Sequence, residues 1–141
     1  MIQMPNLDSL KRQHNDILKA IDQIESKVNR KSIESNAKSI AKGINELSGK
    51  LKIHLSHEDR YLYPNFKKSK NLDLKNKANQ YIQEMGDLSG VYNDFKSRFN
   101  TPTKILKKQE NLIKESKLVF KAVKKRIHQE DTDLYKLAEN L

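Results

Sequence analysis

The residues of this chain best suited to chemistry lie between His54 and Pro64. His54 and Glu58 are four residues apart, so on a helix they would share one face, one side chain above the other. An imidazole nitrogen and a carboxylate oxygen placed in this way can both bind one metal ion. The spacing also occurs by chance in charged helices, and its meaning therefore depends on its neighbours.

The apolar residues that precede this pair form a helical stripe. They follow one another at steps of four, three and four residues, as Ile40, Ile44, Leu47 and Leu51. When the stripe is continued, His54 and Glu58 occupy its core positions. A buried carboxylate is costly unless it is paired or bound to a metal. The pattern therefore predicts an interior partner for Glu58.

Four amphipathic segments with short connections predict an all-α, up-down-up-down four-helix bundle made by a single domain, residues 1–141. Pro64 is expected to end the second helix, because proline cannot extend the hydrogen-bond ladder from inside. The expected helices run from near Asn6 to a loop at 29–32, from about 33 to 63, from Leu72 or Asp73 to 99, and from about 104 to the C-terminus.

Composition narrows the possible functions. The net charge of +10 comes from lysines spread over all four helices without a nucleic-acid motif, so we interpret it as a solvated surface and nucleic-acid binding as the weaker alternative. No cysteine occurs, which excludes disulfides and thiolate sites, and no apolar run approaches the length of about 20 residues that a membrane span needs. With no signal peptide visible, we expect a cytoplasmic protein. No nucleophile–base pair or phosphate loop makes a case for an enzyme.

Helical geometry predicts which polar side chains face the interior. His57 and His128 are expected at the surface, because His57 is one residue off its stripe and His128 lies about 200° around its helix from Glu130. The residues expected to point inward are His14, His54, Glu58, Glu130 and, on the shoulder of its stripe, Glu84. Histidines and carboxylates on facing helices are the ligands of di-iron and di-manganese bundle sites.

With these residues in place, the chain resembles the hemerythrin-like domains of the HHE cation-binding family over nearly its whole length. Segment 10–17, with His14, is similar to the first histidine helix of the family, and segment 54–64 matches its His-x-x-x-Glu motif with the following Leu, aromatic residue and Pro. The resemblance implies a four-helix bundle with a non-haem di-iron centre. It also implies a metal ion, with dioxygen or nitric oxide, as the partner, and a role in oxygen, redox or nitrosative and iron stress.

The second half departs from the family pattern. Met85 stands where the third helix would supply a histidine, and Arg126 stands where the fourth would supply one, with Glu130 kept as the carboxylate. A register with His128 and Asp133 as ligands conflicts with the apolar stripe. The full histidine set of the family therefore cannot be built. The resemblance leaves a carboxylate-rich iron site, of one ion or two, with the ligands His14, His54, Glu58, Glu84 and Glu130.

Arg126 also carries the alternative interpretation. A guanidinium has a fixed positive charge and pairs with carboxylates through two hydrogen bonds. It could replace a cation by pairing Glu58, Glu84 or Glu130 in a core without metal. The chain would then be a metal-free bundle that acts as a regulatory protein-interaction module, and its protein partner is not indicated by the sequence.

Overall fold

In the computed structural model, which describes residues 7–139, the chain folds into an up-down-up-down bundle of four long helices. In chain order the helices are α1 (Leu7–Glu25), α2 (Ile33–His57), α3 (Tyr63–Lys67), α4 (Leu72–Phe99), α5 (Pro102–Lys107), α6 (Gln109–Gln129) and α7 (Tyr135–Glu139). The long helices α1 and α4 each pack against both α2 and α6, which closes the bundle. The predicted all-α class is confirmed. None of the described helices combines the length and apolarity required to span a bilayer.

The sequence predicted that the second helix ends at Pro64, and this prediction is wrong. A π-helical turn, Glu58–Leu62, follows α2, and the helical path continues through Pro64 in α3 as far as Lys67. The wider turn is closed by the Tyr63 N–H, which donates to the Glu58 carbonyl five residues earlier. Pro64 then lies in the first turn of α3, where an intrahelical partner for its missing N–H is not needed.

The prediction of the third long helix is confirmed, whereas the fourth is not the continuous helix that was predicted. α4 has the predicted bounds, and the Asn71 side chain caps it by accepting a hydrogen bond from the Asp73 N–H. The predicted fourth helix is interrupted at Lys108, whose φ of −140° and ψ of 53° are not helical, and again by a second π-helical turn, Glu130–Leu134. The expected start of the first helix at Asn6 lies outside the described residues.

The interior consists of two apolar clusters separated by a polar layer. The larger cluster surrounds Ile44 and Phe95, and the smaller one surrounds Leu62 and Tyr135 at the other end of the bundle. Between them lie the buried polar residues His14, His54, Glu58, Arg126 and Glu130. Each comes from a helix whose apolar stripe continues on both sides of it. The stripe therefore holds these polar groups in a dry interior, where an unpaired charge would be costly.

Candidate metal centre

Four predicted ligands converge in the polar layer. His14 on α1, His54 at the end of α2, and Glu58 and Glu130 at the first positions of the two π-helical turns are each no more than 2% exposed. His14, His54 and Glu130 offer ligand atoms that all lie within 4.8 Å of one another, a geometry that could hold a metal ion.

The ligand atoms are separated by short distances. His14 Nε2 lies 2.9 Å from His54 Nε2 and 2.8 Å from Glu130 Oε1. His54 Nε2 lies 3.2 Å from Glu58 Oε1 and 3.3 Å from Glu130 Oε1. Two atoms each about 2.1 Å from one ion are about 3.0 Å apart at a right angle and about 3.4 Å apart at the tetrahedral angle. The His14, His54 and Glu130 atoms therefore have the spacing of ligands around a single ion, and Glu58 Oε1 lies beside this group, next to His54 Nε2.

The outer nitrogens of the two imidazoles are occupied by hydrogen bonds that fix their protonation. Asp131 Oδ1 lies 2.8 Å from His14 Nδ1, and because a carboxylate only accepts, that nitrogen carries a proton. Gln13 bridges two rings: its Oε1 accepts from His54 Nδ1 at 2.8 Å while its Nε2 donates to His57 Nδ1 at 2.6 Å. Both Nε2 atoms are thus left to face each other as ligands, which is the usual arrangement around histidine-bound metals.

Tyr135 enters the site because of the second π-helical turn. Five residues separate it from Glu130, and the wider turn returns its side chain to the face that carries the carboxylate. Its hydroxyl donates to Glu58 Oε2 at 3.2 Å and lies 3.1 Å from His14 Nε2. The other oxygen, Glu58 Oε1, is buried and accepts no hydrogen bond. A buried oxygen without a partner is rare, and here it lies 3.2 Å from His54 Nε2.

Arg126 contacts the oxygen of Glu130 that does not face the imidazoles. Its Nε donates to Glu130 Oε2 at 3.1 Å, its Nη1 to Glu84 Oε2 at 3.1 Å and its Nη2 to the Tyr81 carbonyl at 2.7 Å. The guanidinium carbon also lies 4.1 Å from the centre of the Tyr81 ring, in a cation–π contact. The side chain of Arg126 is therefore held on every edge.

Burial and charge shift the pKa values of the buried acids and bases in different directions. Burial, reinforced by the charge of Glu130, raises the pKa of Glu58 to about 7. Burial by itself would raise the pKa of Glu130 and lower that of His54, but the hydrogen bond between these two residues acts in the opposite direction and contributes to a larger total effect. A further hydrogen bond from His14 helps to lower the pKa of Glu130 to about 2, and the negative charge of Glu58 helps to raise the pKa of His54 to about 9. Without a metal, a proton on His54 therefore balances the glutamates.

The remaining predicted residues occupy different environments. Glu84, expected to point inward, has a side chain that is 49% exposed and contacts Arg126 and Gln80 rather than the ligand cluster. Its shoulder position places it at the bundle surface, where only its tip reaches the guanidinium. His128 is exposed, as predicted. His57, predicted to face water, is half-buried, and its Nδ1 accepts a hydrogen bond from Gln13 on α1.

Three contributors were missed by the sequence reasoning: Gln13, Asp131 and Tyr135. Gln13 and Asp131 are chain neighbours of predicted ligands, but a neighbour on an ideal helix points about 100° away. Tyr135 follows Glu130 by five residues, which on a regular helix would rotate its side chain about 140° away from the carboxylate. The Glu-Asp-x-x-Leu-Tyr pattern shared by 58–63 and 130–135 was the available signal.

Comparison with known families agrees with this architecture. The family model of the hemerythrin HHE cation-binding domain matches residues 6–138. Searches of curated proteins and of solved structures found no match. The family match covers almost the entire bundle, including every residue of the polar layer. The chain therefore belongs to the hemerythrin HHE cation-binding domain family.

Proposed function

We propose that the chain binds a transition-metal ion through His14, His54, Glu58 and Glu130. The observation that carries this proposal is the 2.9 Å approach of two imidazole Nε2 atoms whose Nδ1 atoms both act as donors. Two neutral rings in this arrangement would point lone pairs at each other, so a positive centre is required between them. A shared proton or a metal ion can supply it, and the unpartnered Glu58 Oε1 favours the ion.

Iron is the metal that we propose, since imidazole and carboxylate ligands together suit it. When bound, iron would supply one-electron exchange and an affinity for small molecules such as dioxygen or nitric oxide. The protein would use it to sense or respond to oxygen, redox state or nitrosative and iron stress in the cytoplasm. The chain's own contribution is a dry site between two apolar clusters and the Tyr135 hydroxyl, which can donate a hydrogen bond there.

The metal content of two matched histidine variants tests this proposal. Protein expressed in iron-supplemented medium is purified without a tag, and its metal content per chain is measured by elemental analysis. His54→Ala is expected to lose most of the metal, whereas His128→Ala, at an exposed histidine, is expected to retain it. Folded wild-type protein without metal, or full metal content in His54→Ala, would contradict the proposal.

A second candidate function follows from the Arg126 contacts. The guanidinium pairs with Glu130 and Glu84, and a proton on His54 supplies a second positive charge. Since the pKa of Glu58 is raised to about 7, that carboxyl can be neutral, so the layer can also be neutralised without metal. The chain would then be a metal-free regulatory module that binds a protein partner. This candidate predicts a melting temperature that a strong chelator does not change, whereas metal binding predicts a lower one after chelation.

A further inference from the structure

The two carboxylate oxygens of Glu130 have different partners. Its Oε1 lies 2.8 Å from His14 Nε2 and 3.3 Å from His54 Nε2, whereas its Oε2 accepts from Arg126 Nε at 3.1 Å. A carboxylate that bridges two metal ions offers one oxygen to each. In this chain the second oxygen of Glu130 is already taken by the guanidinium.

The guanidinium is fixed where it lies. Its three hydrogen bonds to Glu130, Glu84 and the Tyr81 carbonyl use Nε, Nη1 and Nη2, and its face rests on the Tyr81 ring. Arg126 is only 5% exposed, so moving it would leave two buried acceptors, Glu130 Oε2 and the Tyr81 carbonyl, without this donor. An incoming ion would have to displace a cation that holds its place with contacts on every side.

The local charges lead to the same conclusion. One divalent ion balances the two buried carboxylates Glu58 and Glu130, and Arg126 balances Glu84. A second divalent ion would leave two uncompensated positive charges in a layer from which water is largely excluded, and such charges are strongly unfavourable. Met85, buried beside Glu84 on α4, adds no strong ligand for a second ion.

We propose that the centre takes one divalent transition-metal ion and that the Arg126 guanidinium permanently replaces a second. This inference rests on the metal binding proposed above and narrows its chemistry. The ligand class that fits such a centre is a small molecule bound by one ion, not one that bridges two. Arg126 is thus a residue that sets the number of ions, and the fold of the family is retained around a different charge pattern.

A cobalt titration tests the number of ions directly. Chelator-treated protein is titrated with Co(II) under argon, visible absorption follows the binding, and elemental analysis after gel filtration counts the bound ions. The wild type is expected to saturate at one ion per chain. Arg126→His, which places an imidazole one turn before Glu130 as His54 is placed before Glu58, is expected to saturate at two. Arg30→His, the same substitution at an exposed arginine that pairs with Glu110, is expected to stay at one.

Each outcome decides a separate point. No bound ion in the folded wild type would end the proposed function itself. Two ions in the wild type would overturn the inference about Arg126 and leave metal binding intact, and so would one ion in a correctly folded Arg126→His variant. If circular dichroism shows that Arg126→His does not fold, the EPR spectrum of Mn(II)-loaded wild type decides. An isolated-ion spectrum supports a single ion, and a spin-coupled pair contradicts it.

Discussion

The ends of α2 and α6 have the same backbone design but opposite chemistry. Each helix passes into a π-helical turn that begins with a buried glutamate, Glu58 or Glu130, and each turn is followed by a buried tyrosine. One helical turn before the glutamate, α2 carries His54 and α6 carries Arg126. The imidazole offers a lone pair to a metal, whereas the guanidinium only donates. A single side chain therefore separates the half that offers a proposed metal ligand from the half closed by an ion pair.

Removing the guanidinium should give the largest effect. Arg126→Ala leaves Glu130 Oε2 and the Tyr81 carbonyl without their donor, and breaking a buried pair in this way typically costs about 3 to 5 kcal/mol of unfolding free energy. Urea denaturation of the metal-free protein, followed by circular dichroism, measures this loss. Arg30→Ala, which breaks an exposed pair, is the control and should cost less than about 1 kcal/mol. Equal losses in the two variants would show that the Arg126 network has no special weight.

Raising the pH should weaken the imidazole half of the metal-free protein. The pKa of His54 is about 9 in the folded state against an ordinary 6.5, so its stabilisation is complete below the ordinary value and is lost as the pH rises through 9. At about 1.4 kcal/mol per pKa unit, this loss is on the order of 3 kcal/mol. The pKa of Glu58 is raised from 4.5 to about 7, so its contribution to stability is also lost as the pH rises, but between these two lower values.

The urea midpoint of chelator-treated protein should therefore fall steadily between about pH 5 and pH 9. His54→Gln should flatten the upper part of this curve, because glutamine has no proton to lose there. A midpoint that rises over the range would show that the polar layer is not balanced by a proton on His54.

Asp131 allows a finer test, because it belongs to the α6 half but supports an imidazole of the other half. Asp131→Ala removes the acceptor of the His14 Nδ1 proton, and loss of such an outer partner typically lowers metal affinity about 10- to 100-fold. Competition with a chromophoric chelator gives the affinity. Asp22→Ala, at a side chain that is 74% exposed, should leave it unchanged. Similar affinities in the two variants would mean that His14 is oriented by packing alone.

The smallest change in the free energy of unfolding is expected at the residue that follows each tyrosine, which differs between the two halves. Pro64 follows the tyrosine of the first turn, and Lys136 follows that of the second. Since Pro64 lies in the first turn of α3, Pro64→Ala should change the free energy of unfolding by less than about 1 kcal/mol. A loss much above this value, measured by urea denaturation, would show that proline stabilises the π-helical turn before it.

The apolar stripes were sufficient to predict the bundle, because helical periodicity is a local property of the sequence. The same stripes correctly placed His14, His54, Glu58 and Glu130 in the interior. They failed at the π-helical turns, where each turn contains more residues than the helical period assumes. A regular period therefore cannot bring Tyr135 to the face of Glu130, although the π-helical turn does so.

The contacts of Gln13 and Asp131 could not have been predicted in this way. Each depends on how closely two helices approach and on the rotation of a side chain between them, neither of which is contained in the pattern of one helix. The prediction that Glu84 points inward was wrong for a related reason. The sequence gives its angle on α4, but not its distance from the bundle axis. Only the packed structure shows that it reaches Arg126 from the surface.

The residues of the centre are far apart along the chain, and this has a consequence for the timing of its assembly. His14 contacts Asp131 across 117 positions, and Glu130 is also near the end of the described helices. During synthesis, α1 and α2 leave the ribosome long before the segment that completes the cluster, since translation proceeds at roughly 5 to 20 residues per second. A nascent chain can form its first helical hairpin early, but it can assemble this geometry around an ion only after the segment with Glu130 and Asp131 has been synthesised. Metal loading would thus report that all four long helices of the bundle have been synthesised.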